Sequence, residues 1–207
     1  MTTPAPPPAT PPQAPNLKGS RTEKNLAAAF TGECMARNRY YFYASKAKKQ
    51  GYEQISEIFL ETAENEREHA KKFLKLMGTG EATPVTFQMV IPNTQINTTL
   101  ENLRTAERGE AEENNIAYPH MAAIAEQEGF EEIAKYFRKV AEVEREHRIR
   151  FGLLADQLES DTLFKKSKDY KWKCRNCGNI FEGPEPPEKC PVCGHAQSFY
   201  QIKEIFE

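Results

Sequence analysis

Glu66 and His69 stand three residues apart, and Glu144 and His147 repeat that spacing 78 residues on. The shared Glu-Arg-Glu-His tetrapeptide lies inside a longer repeat. Gly51-Tyr52-Glu53-Gln54-Ile55 corresponds to Gly129-Phe130-Glu131-Glu132-Ile133, Phe59 to Phe137, Ala63 to Ala141, Glu64 to Glu142 and Phe73 to Phe151. Residues three apart on a helix are neighbours, so a carboxylate and an imidazole at this spacing can grip one cation. Two Glu-x-x-His helices are half of a carboxylate-bridged two-metal site, and each of the other two helices adds an inward Glu. Glu33 and Glu110 meet that need, so the donors in two related halves are Glu33, Glu66, His69, Glu110, Glu144 and His147. Glu113, one turn beyond Glu110, is a further candidate. Mixed carboxylate and imidazole ligation suits iron or manganese and permits redox chemistry.

A single Glu-x-x-His pair reads more simply as a solvated contact on an outer helix face. Two such pairs inside apolar stripes do not, because buried Glu and His are costly unless paired or metal-bound. Ile133, Phe137, Val140, Glu144, His147, Phe151, Leu154 and Leu158 follow alternating steps of four and three. Ile55, Phe59, Thr62, Glu66, His69, Phe73 and Leu76 form the matching stripe. Leu26, Phe30, Glu33, Arg37, Tyr40, Ala44 and Ala47 share one face, as do Leu100, Leu103, Ala106, Glu110, Glu113 and Ala117. Arg67, Glu68, Arg145 and Glu146 fall off the stripes and read as solvated charges.

The repeat has one irregularity. Tyr40 and Tyr118 keep the 78-residue offset, yet Glu33 to Glu66 spans 33 residues and Glu110 to Glu144 spans 34. An extra residue therefore lies between Glu110 and Tyr118, and a π-bulge would absorb it. Such a bulge could turn both Glu110 and Glu113 toward the metals. Tyr40 and Tyr118 each lie about two turns from an inward Glu and could donate hydrogen bonds to a carboxylate or a bound oxygen species. The bland alternative is a pair of core aromatics whose hydroxyls find any acceptor.

Four helices must carry these residues. Ser20-Arg21-Thr22-Glu23 reads as a capping box, which opens a helix that runs to about Gln50. A second helix runs from about Tyr52 to Met77, a third from near Thr94 to Glu128, and a fourth from Gly129 to near Leu158. The stretch 78–93, with Gly78, Gly80, Pro84 and Pro92, reads as a crossover between two hairpins. Pro119 falls within the third helix and should kink it. The expected fold is mainly α: a ferritin-like four-helix bundle over residues 17–165, with a small β-rich domain over 166–207.

The small domain carries a second chemistry. Cys174-Arg175-Asn176-Cys177-Gly178 and Cys190-Pro191-Val192-Cys193-Gly194 are two Cys-x-x-Cys-Gly turns, separated by twelve residues. In a chain without a secretion signal this pattern favours metal over disulfides. Such a tetrathiolate binds zinc or a single iron, and ligand type alone does not distinguish them. About 40 residues cannot build a large core, so the metal must substitute for one. Tyr170, Trp172, Phe181, Phe199 and Tyr200 would pack a β-rich shell around it. Cys34 stands alone and reads as a small helix residue, and His120 and His195 stay unassigned.

Composition narrows the partners. A net charge of −2 gives no strong field toward nucleic acid or an anionic membrane. No run approaches the roughly 18 apolar residues needed to span a bilayer. MTTPAPPPATPPQAP has no basic region and no apolar core, so it reads as a disordered Pro/Ala-rich tail over 1–16, and the cytoplasm is the expected compartment.

The chain from about residue 17 to 207 resembles the rubrerythrin family. The resemblance rests on LKGSRTEKN, GE followed by ARNRY, ETA with EREHAKKF, GE with YP in the third helix, and CRNCG with CPVCG. The tail before Leu17 is outside that pattern. The resemblance implies a non-haem di-iron peroxidase that reduces hydrogen peroxide to water in oxidative-stress defence. It implies Glu33, Glu66, Glu110, Glu113, Glu144, His69 and His147 as di-iron ligands, with Glu113 and His69 exchanging between oxidation states. Tyr40 and Tyr118 match the family's hydrogen-bonding tyrosines, and Cys174, Cys177, Cys190 and Cys193 its rubredoxin-type iron ligands. An outside rubredoxin or NAD(P)H-dependent reductase would recharge the single iron, and a head-to-tail homodimer would bring it near the partner's di-iron site. The alternatives are a ferroxidase or iron-storage relative, and a binding protein whose cysteines hold structural zinc.

Overall fold

A computed structural model of the chain describes residues 15–78 and 83–203. The expected tail therefore lies outside the described residues, apart from Pro15 and Asn16, and so does part of the crossover.

Five helices and a short π segment form the bundle: α1 Arg21–Lys49, α2 Glu53–Leu76, α3 Thr99–Glu112, the π turn Glu113–Ala117, α4 Tyr118–Gln127 and α5 Glu131–Glu159. The fold class is as read, mainly α with a ferritin-like bundle, and the third expected helix is α3, the π turn and α4 in succession. The Ser20 side chain caps α1 by accepting from the Glu23 backbone N–H. Gly51 and Gly129 end the turns into α2 and α5 at φ of 81° and 83°, a conformation that costs glycine little. The repeat extends to the helix starts. Gln50 accepts hydrogen bonds from the N–H and hydroxyl of Thr99, and Glu128 accepts from Arg21 and Thr22 in the same way.

One boundary and one stripe residue differ from the sequence reading. The third helix begins at Thr99, not near Thr94, because Thr98 and Glu101 form a reciprocal capping box. Arg37 leaves the core stripe, with 39% of its side chain exposed beside Glu64, since a guanidinium gains more from water than from an apolar face.

The core forms two aromatic clusters, one on each side of the central carboxylates. Phe59 and Phe151 pack as tilted rings with centroids 5.1 Å apart, and the Tyr40 ring lies 5.3 Å from Phe151. The repeat carries these residues to Phe137, Phe73 and Tyr118. There the corresponding centroids are 5.3 Å apart for Phe73 and Phe137 and 5.7 Å for Phe73 and Tyr118.

The C-terminal part holds a three-stranded antiparallel sheet in the order β2-β1-β3, with β1 Tyr170–Cys174, β2 Ile180–Gly183 and β3 Tyr200–Ile202. Trp172, Cys174, Cys190 and Tyr200 make its small core, and the Trp172 indole N–H donates to the Gly183 carbonyl at 2.9 Å. This sheet rests against the N-terminal end of α2, where Arg175 lies 3.6 Å from Glu57. Phe164 packs against both the bundle core and the sheet core. No helix among the described residues is long and apolar enough to cross a membrane.

Candidate metal centres

Glu33, Glu66, Glu110 and Glu144 are almost completely buried at the bundle centre, between the two aromatic clusters. Four buried carboxylates in one place repel each other and lose hydration, an arrangement that needs cations. Their donor atoms converge in two sets: Glu33, Glu66, His69 and Glu144, and Glu66, Glu110, Glu144 and His147. Glu66 and Glu144 belong to both, as carboxylates that bridge two metals must.

Hydrogen bonding within the site leaves donors over. Glu33 Oε2, Glu66 Oε1, Glu110 Oε2, both oxygens of Glu144 and His147 Nδ1 are buried without a hydrogen-bond partner. Some of these atoms nonetheless lie close together. His147 Nδ1 is 2.8 Å from Glu144 Oε2 and 3.2 Å from Glu66 Oε1, while His69 Nδ1 is 3.0 Å from Glu144 Oε1. Short separations without hydrogen-bond geometry are what donors show when they converge on a shared point. Orphaned oxygens and nitrogens of this kind fit a pair of divalent cations, whose charge would balance the four carboxylates.

The outer oxygens are held by tyrosines from the opposite half. Tyr118 donates its hydroxyl hydrogen bond to Glu33, and Tyr40 donates to Glu110. Burial, and then the charges of Glu66 and Glu144, hold Glu33 and Glu110 well above the usual carboxylate range. Burial would lower His69 and His147, but the close carboxylates of Glu144 and Glu66 raise them to about 10 and about 9. Burial alone would raise Glu144, yet the two imidazoles bring it below its ordinary value.

The π turn occurs where the extra residue required it. The Tyr118 N–H bonds to the Glu113 carbonyl, five residues back, and Pro119 follows in the first turn of α4. Glu110 points into the site, but Glu113 does not converge with either donor set and keeps some solvent exposure. His69 is present in the first set instead. Glu113 still feels the site: burial and the charges of Glu144 and Glu66 push it up to about 8.

The four cysteines form the other centre. Cys174 and Cys193 Sγ are 3.8 Å apart and Cys177 and Cys190 Sγ 3.6 Å, with no disulfide among the described cysteines. A tetrahedron with metal–sulfur bonds of about 2.3 Å has edges of about 3.8 Å, so these sulfurs fit one metal. Gly178 and Gly194 adopt φ of 78° and 74° and return their N–H groups to the carbonyls of Cys174 and Cys190. Each Cys-x-x-Cys turn thus closes on itself. The Tyr200 hydroxyl bonds to Cys190 and brings that thiol down to about 6.

The fold and these two donor sets define a ferritin-like carboxylate di-iron bundle joined to a rubredoxin-like iron module. Residues 24–155 match the family model described as Rubrerythrin, and residues 172–201 match that of the Rubrerythrin, rubredoxin-like domain. The chain is 47% identical over 197 residues to rubrerythrin of Clostridium perfringens, covering 92% of this chain and 99% of that one. It is 45% identical over 186 residues to rubrerythrin of Porphyromonas gingivalis, covering 90% and 92% respectively. A solved structure of nigerythrin in a mixed-valence state aligns with a TM-score of 0.59 and 25% identity, covering 98% of this chain and all of the other. The chain belongs to the rubrerythrin family, with a di-iron site and a rubredoxin-type iron site.

Proposed function

We propose that this protein reduces hydrogen peroxide to water at the bundle site, drawing electrons through the four-cysteine iron. One observation carries the reading. Two donor sets share Glu66 and Glu144, in the same chain as a tetrathiolate suited to one-electron transfer. Glu33, Glu66, Glu144 and His69 would hold one iron, and Glu66, Glu110, Glu144 and His147 the other. Glu113, on the π turn, stands as the alternative donor to the iron near His69. Cys174, Cys177, Cys190 and Cys193 would hold the single iron. The domain division at residues 165/166 belongs to the same proposal.

When bound, the iron pair supplies two electrons to the O–O bond of peroxide, which with two protons gives two waters. The chain does the rest. Tyr118 and Tyr40 keep protons on hydroxyl oxygens beside Glu33 and Glu110, one in each half. The two aromatic clusters restrict water around the carboxylates. As metal displaces their protons, the buried glutamates would surround the irons with four carboxylates, which orients the site before the substrate arrives.

The position of the small module supports a second copy of the chain in the electron path. It rests near Glu57, whereas Glu66 and His69 lie about 14 and 18 Å further along α2 at ~1.5 Å per residue. A homodimer would shorten that route by offering a partner's module. The expected donor is a rubredoxin or an NAD(P)H-dependent reductase in the cytoplasm. The test is anaerobic peroxide consumption by the iron-loaded protein with such a donor. Peroxide loss without oxygen release supports the reading. Peroxide left intact while iron accumulates in large shells would instead make the protein an iron-storage relative.

A further inference from the structure

The two histidines of this near-symmetric site have different surroundings. His147 presents Nδ1 to Glu144 and Glu66, so with Nδ1 on a metal the remaining ring proton sits on Nε2. That Nε2 lies 3.2 Å from Asn65 Oδ1, and Asn65 is the residue just before Glu66 on α2. The side-chain carbonyl of Asn65 thus accepts from the ring across the bundle. The repeat places Val143 in the same position, just before Glu144.

Valine offers no acceptor. His69 Nδ1 meets Glu66 at 2.9 Å and Glu144 at 3.0 Å, but its Nε2 has no protein hydrogen-bond partner among the described residues. The His69 side chain is also more exposed, 13% against 7% for His147. Asn65, Val143 and His147 line one open depression. That depression opens onto Asn65 and His147, so water there competes with Asn65 for the His147 ring N–H.

We propose that Asn65 is a positioning residue that locks the ring and tautomer of His147, while Val143 leaves His69 without such a lock. The inference rests on the reading that both imidazoles ligate iron. An outer hydrogen bond fixes a ligand's orientation and raises its basicity. His147 therefore holds its metal in one geometry. His69 can turn away without breaking an outer protein bond, so the two halves of one repeat acquire different duties from a single Asn-to-Val difference.

The test uses the full chain loaded with Co(II), whose paramagnetism shifts the N–H proton signals of ligating imidazoles. In the unaltered protein, one shifted imidazole N–H persists in D₂O and the other exchanges quickly. Asn65→Val makes the persistent signal exchange at least about tenfold faster and weakens one Co(II) by about 10- to 100-fold. Asn65→Asp, which keeps an acceptor oxygen, restores both. Val143→Asn slows the second signal. A merely structural role would lower the melting temperature of the metal-free protein in both Asn65 variants alike and would leave the two exchange rates in their original ratio. The inference falls if Asn65→Val leaves exchange and affinity unchanged, or if Asn65→Asp fails to restore them. If neither imidazole signal is shifted by Co(II), the histidines are not ligands, and the ligand reading falls first and takes this inference with it.

Discussion

Tyr118 donates its hydroxyl hydrogen bond to Glu33 across the bundle, and Tyr40 does the same for Glu110 in the opposite half. Each tyrosine thus holds a carboxylate from the half to which it does not belong. The arrangement fixes the Glu33 and Glu110 carboxyl groups and keeps a tyrosine proton beside each.

Removing either hydroxyl should slow the chemistry more than it harms the fold. In Tyr118→Phe, Glu33 loses its partner at a cost of about 1–3 kcal/mol in stability. The peroxide step should slow by about 100-fold while two irons remain bound. Single-turnover kinetics with iron analysis checks this. An unchanged rate would confine Tyr118 to packing.

The metal-free bundle should lose stability as pH rises. Burial and neighbouring carboxylates hold Glu33 and Glu110 above the usual range, and Glu113 stands at about 8. His147 and His69 stand at about 9 and about 10. The unfolded chain titrates near 4.3 for Glu and 6.5 for His, so the fold keeps protons that the unfolded chain has released. The histidine contribution is complete below about pH 6.5 and disappears as pH rises through 9 and 10, and the glutamates act in the same direction. Glu144, which is shifted down, titrates below this window. Melting of the metal-free protein at pH 6 and pH 9 should show the lower temperature at pH 9. Metal replaces these protons, so metal affinity should rise with pH and the loaded protein should vary less.

Much of this site was legible in the sequence because the repeat supplied a check on register. Glu66, His69, Glu144 and His147 share a helical spacing in both copies, and Glu33 and Glu110 fall in apolar stripes, so burial followed from periodicity. The π turn was legible as well, since one surplus residue between Glu110 and Tyr118 had to go somewhere. Glu113 was harder. Its stripe position assumes a regular α-helix, which ends where the π turn begins at Glu113, and it stands beside the two donor sets rather than in them. The start of α3 was missed although Thr98-x-x-Glu101 was present, because the turn-rich stretch before it contains other polar residues that can cap a helix. Asn65 carried no signal of its own. Its meaning depends on which ring nitrogen of His147 faces it, and that is a property of packing.

The arrangement of His69 and Glu113 gives another prediction. His69 stands in a donor set and Glu113 does not. The reduced protein should therefore bind two ferrous ions in Glu113→Ala, whereas His69→Ala should bind one of them at least about tenfold more weakly. Chelator competition under argon measures both. The reverse order of losses would assign the first set to Glu113.

Removing metal from the cysteine module should unfold that module before the bundle. Its core consists of Trp172, Cys174, Cys190 and Tyr200 with a few partly buried neighbours, too little to stand without the metal. Cys177→Ser should abolish rubredoxin-type colour and the near-ultraviolet signal of Trp172, while helical circular dichroism stays within a few per cent. Coincident loss of helix would show that the two parts fold as one unit.

The most direct test of the electron path is stopped-flow mixing of the fully reduced, iron-loaded protein with one equivalent of hydrogen peroxide in the absence of air. The account predicts that the ferric tetrathiolate colour returns within turnover time and faster than with dissolved oxygen. It also predicts that His147→Ala loses this response while keeping the four-cysteine iron. Peroxide that oxidises the tetrathiolate equally fast in His147→Ala, or not at all in the unaltered protein, would contradict a wire from the cysteine iron to the carboxylate site.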